Sequence, residues 1–109
     1  MKTLVIKIHI EAPENAEEEA GALEQIYKWA DENFPSGYTV YKTNGVWEGK
    51  TRQSFAIEKY ESDLGLAQDE KFIESIKALG KKLKQKEVLI TYFVAESESI
   101  ETGYSSDNA

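Results

Sequence analysis

His9 is the chain's single histidine, and Lys7 and Glu11 stand two residues to either side of it. In an extended strand that spacing puts all three on one face. A histidine oriented by a carboxylate can act as a general acid or base. His9 with Glu11, or with Glu58 from another strand, is therefore one catalytic constellation, although a lone histidine on a strand is more often a plain polar residue. Metal chemistry has less to build on. The chain contains no cysteine, so a site around one histidine would need Asp and Glu ligands, and no spaced cluster supplies them. G-x-S-x-G, P-loop and G-x-G-x-x-G patterns are absent too. Neither a cofactor nor a catalytic residue set is expected.

A second constellation is made of donors. Lys7, His9, Arg52 and Ser54 converge if the first and third strands are neighbours, and Arg52 can then grip a phosphate or carboxylate with two parallel hydrogen bonds. Cross-strand pairing with Glu11 and Glu58 is the structural alternative. Tyr38, Tyr41, Trp47 and Tyr60 offer flat apolar surface on which a base could stack or a partner anchor; as core and cross-strand aromatics they need no ligand. Trp47 stands apart, because it follows Asn44-Gly45 with Lys50 and Arg52 close behind. The candidate ligand residues are thus Trp47, Lys50, Arg52, Ser54, Tyr41, Lys7 and His9, centred on a hairpin tip.

The elements that must carry these residues follow from periodicity. Residues 3–11 alternate, with Leu4, Ile6, Ile8 and Ile10 on one face. Asn15 and Glu18 open a helix over 16–33 in the manner of a capping box, with Ala16, Ala20, Leu23, Ile26, Tyr27 and Ala30 as its apolar stripe. Phe34-Pro35-Ser36-Gly37 ends it. A hairpin then runs to residue 60: one strand over Tyr38–Thr43, a type I′ turn signal at Asn44-Gly45 with a tip wider than two residues, and a second strand over about Thr51–Tyr60. In that second strand Phe55 and Ile57 point inward. Residues 61–68 read as a loop, and Asp69 caps a second helix reaching Lys84. Gly80 lowers the helix propensity there, which a close helix contact would explain. Val88–Ala95 is apolar throughout, the pattern of a central strand or one covered on both sides.

The order β-α-β-β-α-β is that of the α+β ferredoxin-like split βαβ fold, a four-stranded antiparallel sheet with both helices on one face. Residues 1–96 form this domain, and the polar stretch 97–109 is expected to be a mobile tail. The sheet's other face stays open.

Composition bounds the partners. The chain has 109 residues, 40% hydrophobic and 30% charged, enough for one small core. With 20 acidic against 13 basic residues the net charge is −7, which argues against binding to a nucleic-acid backbone. Glu14, Glu17, Glu18, Glu19 and Glu24 suit the solvated start of a helix, with an acidic surface that imitates nucleic acid for a basic partner as the lesser alternative. The start MKTLVIKIHIEAP alternates polar residues and lacks a cleavage site, so it fits a strand better than a signal peptide. No stretch is long enough to span a membrane. A cytosolic location is expected.

From Trp29 to Val94 the chain resembles an uncharacterised bacterial and phage domain family, one of the numbered domains of unknown function. The residues concerned are Trp29, Phe34-Pro35-Ser36-Gly37-Tyr38-Thr39-Val40, Gly45-Val46-Trp47, Arg52-Gln53-Ser54 and Gln85-Lys86-Glu87-Val88-Leu89. Two departures mark this chain. Many members look like exported lipoproteins, whereas here no lipobox cysteine is present, and Gln53 stands where members carry glutamate. The resemblance implies the fold and supplies no activity; a compact cytosolic form would suit a phage or accessory-gene product.

These readings combine into a non-catalytic, homo-oligomeric module that binds, and sequesters, a small anionic or nucleotide-like ligand near the hairpin tip and open sheet face. An acidic inhibitor or decoy is the alternative, and a small enzyme using His9 as acid or base is the third.

Overall fold

A computed structural model describes residues 1–105, apart from the side chain of Trp47. The strands are β1 (Lys2–Glu11), β2 (Thr39–Trp47), β3 (Lys50–Glu61) and β4 (Leu89–Glu96), and the helices are α1 (Ala16–Asn33) and α2 (Glu70–Lys82). A short 3₁₀ turn, Leu66–Gln68, lies inside the stretch expected as loop. The sheet is antiparallel, in the order β2-β3-β1-β4. Asn15 caps α1 by accepting from the Glu18 amide at 2.8 Å, and Asp69 caps α2 by accepting from the Phe72 amide at 3.0 Å. Residues 106–109, part of the stretch read as a tail, lie outside the described residues. At its near end Ser97 donates its amide to the Met1 carbonyl at 2.9 Å, and its hydroxyl meets that of Thr3.

Both helices cover one sheet face. Leu4, Ile6, Ile8 and Ile10 of β1 and Phe55 and Ile57 of β3 join Ile26, Trp29, Ala30, Phe72, Ile76 and Leu79 in a single buried cluster. The α1 stripe is rotated from the expected one: Ala22 and Trp29 are buried, whereas Tyr27 faces outward. Trp29, the larger aromatic, takes the inward position because it packs edge-on against Phe34 at 5.4 Å. Gly80 does permit a close approach, but to Val88 on the way into β4 and not to a helix. A Cβ at Gly80 would stand 3.0 Å from Val88 Cγ2.

Two expectations about strands need correction. The hairpin turn is not at Asn44-Gly45, and it is not wide. Those residues pair with Gln53 and Arg52 inside the ladder, and the chain turns over two residues, Glu48 and Gly49, both with positive φ (49° and 77°). That is the type I′ pattern, and Gly49 meets it without a side-chain penalty. β4, moreover, is neither central nor covered on both sides. It is an edge strand beside β1, and Leu89, Tyr92, Phe93 and Val94 all remain exposed.

Tyr38 ties β2's approach to α1 by donating its hydroxyl to Asp31 Oδ1 at 2.5 Å, which pushes the phenol up to about 12. A folded-state pKa raised above the unfolded value of 10 stabilises the fold below pH 10, and that contribution is lost as pH rises towards 12. In an ultraviolet difference titration of the tyrosines, Tyr38→Phe should remove a late, high-pH step. An unchanged titration curve would show that the bond does not form in solution.

Candidate functional site

Register decides what meets on the open face. β1 pairs Lys7 with Glu58 of β3 and Thr91 of β4, and pairs His9 with Ala56 and Leu89; β3 in turn pairs Ala56 with Tyr41 of β2. Alternation then places Val5, Lys7 and His9, Ser54, Ala56, Glu58 and Tyr60, and Tyr41 and Thr43 on the side away from the helices. Leu89, Thr91 and Phe93 extend this surface onto β4.

Glu58 is its centre. Tyr41 donates its hydroxyl to Glu58 Oε2 at 2.9 Å, Tyr60 donates to Oε1 at 2.8 Å, and the Lys7 ammonium lies 3.8 Å from Oε2. The Glu58 side chain is only 16% exposed. The hydrogen bond from Tyr60 is the chief influence holding this carboxyl below its ordinary value; partial burial opposes it, and Tyr41 and Lys7 reinforce it. Tyr60 is pushed up by the same bond, and Tyr41 first by desolvation and then by its bond to Glu58. Glu58 is accordingly an ionised acceptor at neutral pH, set between two phenol rings. Such a group can receive hydroxyl or amino donors and can stabilise a cation beside the rings.

The sequence-derived site residues separate into two groups. Tyr41, Lys7, His9 and Ser54 share the open face with Glu58. His9 is half-buried and lines a shallow groove of about 660 Å³ with Glu11, Ser54, Glu87 and Leu89. Trp47, Lys50 and Arg52 are at the other end of the hairpin, six to eight residues from Tyr41 or Glu58 on their own strands, which is about 20 Å or more along a strand. There Trp47 pairs with Lys50, and Arg52 spends its guanidinium on Glu11 Oε1 at 2.8 Å in a solvent-exposed ion pair. Glu58, weighed in the sequence only as a carboxylate partner for His9 or a cross-strand partner, and Tyr60, weighed only as a stacking aromatic, fall outside the ligand set centred on the hairpin tip. Their signal was available in the alternation of β3, which puts Ser54, Ala56, Glu58 and Tyr60 on one side. Among the described residues no group of three or more His, Asp or Glu side chains converges on a metal position, and no helix is long and apolar enough to cross a membrane.

No family model matches the chain, and no curated protein matches it in sequence. Among solved structures it is similar to a phage SAM lyase in its apo state, at 19% identity and a TM-score of 0.50 over 92% of this chain and 94% of that one. It is also similar to a protein from Deinococcus radiodurans assigned provisionally to the antibiotic biosynthesis monooxygenases, at 15% identity and a TM-score of 0.52 over 90% and 96%. The chain has the ferredoxin-like fold. At these identities the likeness is one of fold, and the chemistry must be argued from the residues themselves.

Proposed function

We propose that the protein is a cytosolic, self-associating binding module that takes a nucleoside-like small molecule with a positive charge on its open sheet face. The observation that carries this reading is the Glu58 carboxylate, shielded from most solvent and fixed by the hydroxyls of Tyr41 and Tyr60. Lys7 and Arg52 each face a carboxylate, so the face holds no net positive patch to attract a simple anion. The ligand proposed here therefore presents its cation and hydroxyl donors to Glu58, and an anionic end, if it has one, to Lys7 or His9. S-adenosylmethionine joins a sulfonium, an ammonium, ribose hydroxyls and a carboxylate in one molecule, and a phage SAM lyase shares the fold. That makes it the probe of choice. Calorimetric titration should give saturable binding that is weakened by Glu58→Gln, and binding unaltered in a folded Glu58→Gln variant would exclude this site. Placement in the bacterial and phage domain family belongs to the same proposal.

A second reading, turnover of the bound ligand, is favoured by one feature: the Glu58 carboxylate, kept ionised by two phenols, can stabilise positive charge on a reacting ligand. Mass spectrometry of the titrated ligand would detect its product.

Self-association is argued from β4. Leu89 (64% exposed) and Phe93 stand on the open face, Tyr92 and Val94 on the other, along an edge whose backbone groups have no further strand to pair with among the described residues. An apolar edge of this kind templates a second chain. Light scattering should report a dimer or larger assembly, and Phe93→Glu combined with Val94→Lys should yield a folded monomer. A monomeric parent protein at micromolar concentration would refute this part of the proposal.

A further inference from the structure

Lys59 is the one buried charged residue among the described residues, at 6% exposure. It follows Phe55 and Ile57 in the inward-facing series of β3, and pairs with Ile6. Its ammonium donates to Ser36 Oγ at 2.6 Å, and no carboxylate of the described residues lies within ion-pair distance of it. In a protein with 20 acidic residues that is an unexpected pairing. An ammonium taken out of water against a single neutral hydroxyl is costly unless something else compensates its charge.

The surroundings indicate what would do so. Lys59 and Ser36 open onto a pocket of about 370 Å³ whose wall also contains Lys2, Ser62, Ser97 and Ser99. The hydroxyl of Ser97 is already engaged with Thr3 and the Met1 carbonyl, which leaves two lysines and the hydroxyls of Ser36, Ser62 and Ser99 as donors of the kind a phosphate site uses. Glu61 and Glu98 border the pocket as well. Glu61 Oε1, however, is occupied by the amides of Ser62 and Asp63 at 3.1 and 3.4 Å, so that oxygen serves the turn after β3.

We infer that this pocket binds a phosphate group, either free inorganic phosphate or the end of a phosphate monoester, with Lys59 as the charged anchor and Ser36 as its positioning hydroxyl. Lys59 and Glu58 are adjacent in sequence but lie on opposite faces of the sheet, so the inference does not depend on the ligand proposed for Glu58. In thermal melts at matched ionic strength, millimolar inorganic phosphate should raise the melting temperature of the parent protein by several degrees over chloride. Lys59→Met, which keeps the length of the stem, should abolish the rise, and Ser36→Ala should weaken it. Glu58→Gln should keep it in full. No rise in the parent protein, or the same rise in Lys59→Met, would overturn the inference. Should Lys59→Met fail to fold, ³¹P line broadening decides: broadening by the parent protein that falls severalfold with Ser36→Ala supports the site, and equal or absent broadening overturns it. Methyl phosphate as a second probe separates the sources. Equal binding identifies a monoester as the occupant, and binding of inorganic phosphate alone identifies the free ion.

Discussion

Glu58→Gln is expected to lower affinity for S-adenosylmethionine by about 10- to 100-fold while leaving the fold intact. The substitution keeps the shape of the side chain and removes its charge. A hydrogen bond to a charged group contributes about 1.5–3 kcal/mol, and each 1.4 kcal/mol is a factor of ten in affinity. Tyr41→Phe and Tyr60→Phe should each cost less, because each leaves the carboxylate with one phenol donor. The pH dependence has a definite sign. Glu58 titrates below its ordinary 4.5 in the folded protein, so its charge and the stability it contributes are present at neutral pH and are lost only as pH falls through that depressed value. Binding should hold constant from neutrality to about pH 5 and collapse on further acidification. In Glu58→Gln the residual binding should lack this acid limb. A parent protein whose binding fades between pH 7 and 6 would contradict the assignment to Glu58.

Phe34→Ala should be the most damaging single truncation. Phe34 is 1% exposed and sits where α1 hands over to β2, in contact with Trp29 at 5.4 Å and Phe72 at 5.8 Å between ring centroids. It thereby joins both helices at one point. Removing a buried phenylalanine costs about 3–5 kcal/mol, a large share of the roughly 5–15 kcal/mol total stability of a domain this size. The melting temperature should drop by roughly 15 °C or more, at about 4 °C or more per kcal/mol. A shift of only a few degrees would mean that Trp29 and Phe72 close the gap.

The helices were legible because their signals are local. Asn15 with Glu18, and Asp69 ahead of an apolar stripe, set both starts without reference to the rest of the chain. The hairpin turn was not legible, although Asn44-Gly45 is the stronger local turn signal. A turn there would set Val40 opposite Gly49 and leave Phe55 and Ile57 beyond the end of the hairpin. The observed register puts Val40 opposite Ile57 and Lys42 opposite Phe55, so burial of β3's apolar residues outweighs the turn preference of one dipeptide. β4 was misplaced for a different reason: an all-apolar strand reads the same whether it is central or at an edge that expects a partner. The candidate site was half legible. Alternation marks Lys7, His9 and Ser54 as outward residues, whereas the meeting of Tyr41 with Glu58, 17 residues apart, depends on the hairpin register. Lys59 carried its own signal, a lysine at an inward position of β3.

The proposal that the open face recognises a cation through Glu58 is tested most directly by titrating the parent protein with S-adenosylmethionine and, separately, S-adenosylhomocysteine and AMP. The first two differ by the methyl group that makes the sulfur a sulfonium, so their comparison isolates the charge. Saturable binding of S-adenosylmethionine at least tenfold tighter than either of the others is the predicted result. No binding of S-adenosylmethionine, or equal or tighter binding of S-adenosylhomocysteine or AMP, would contradict it.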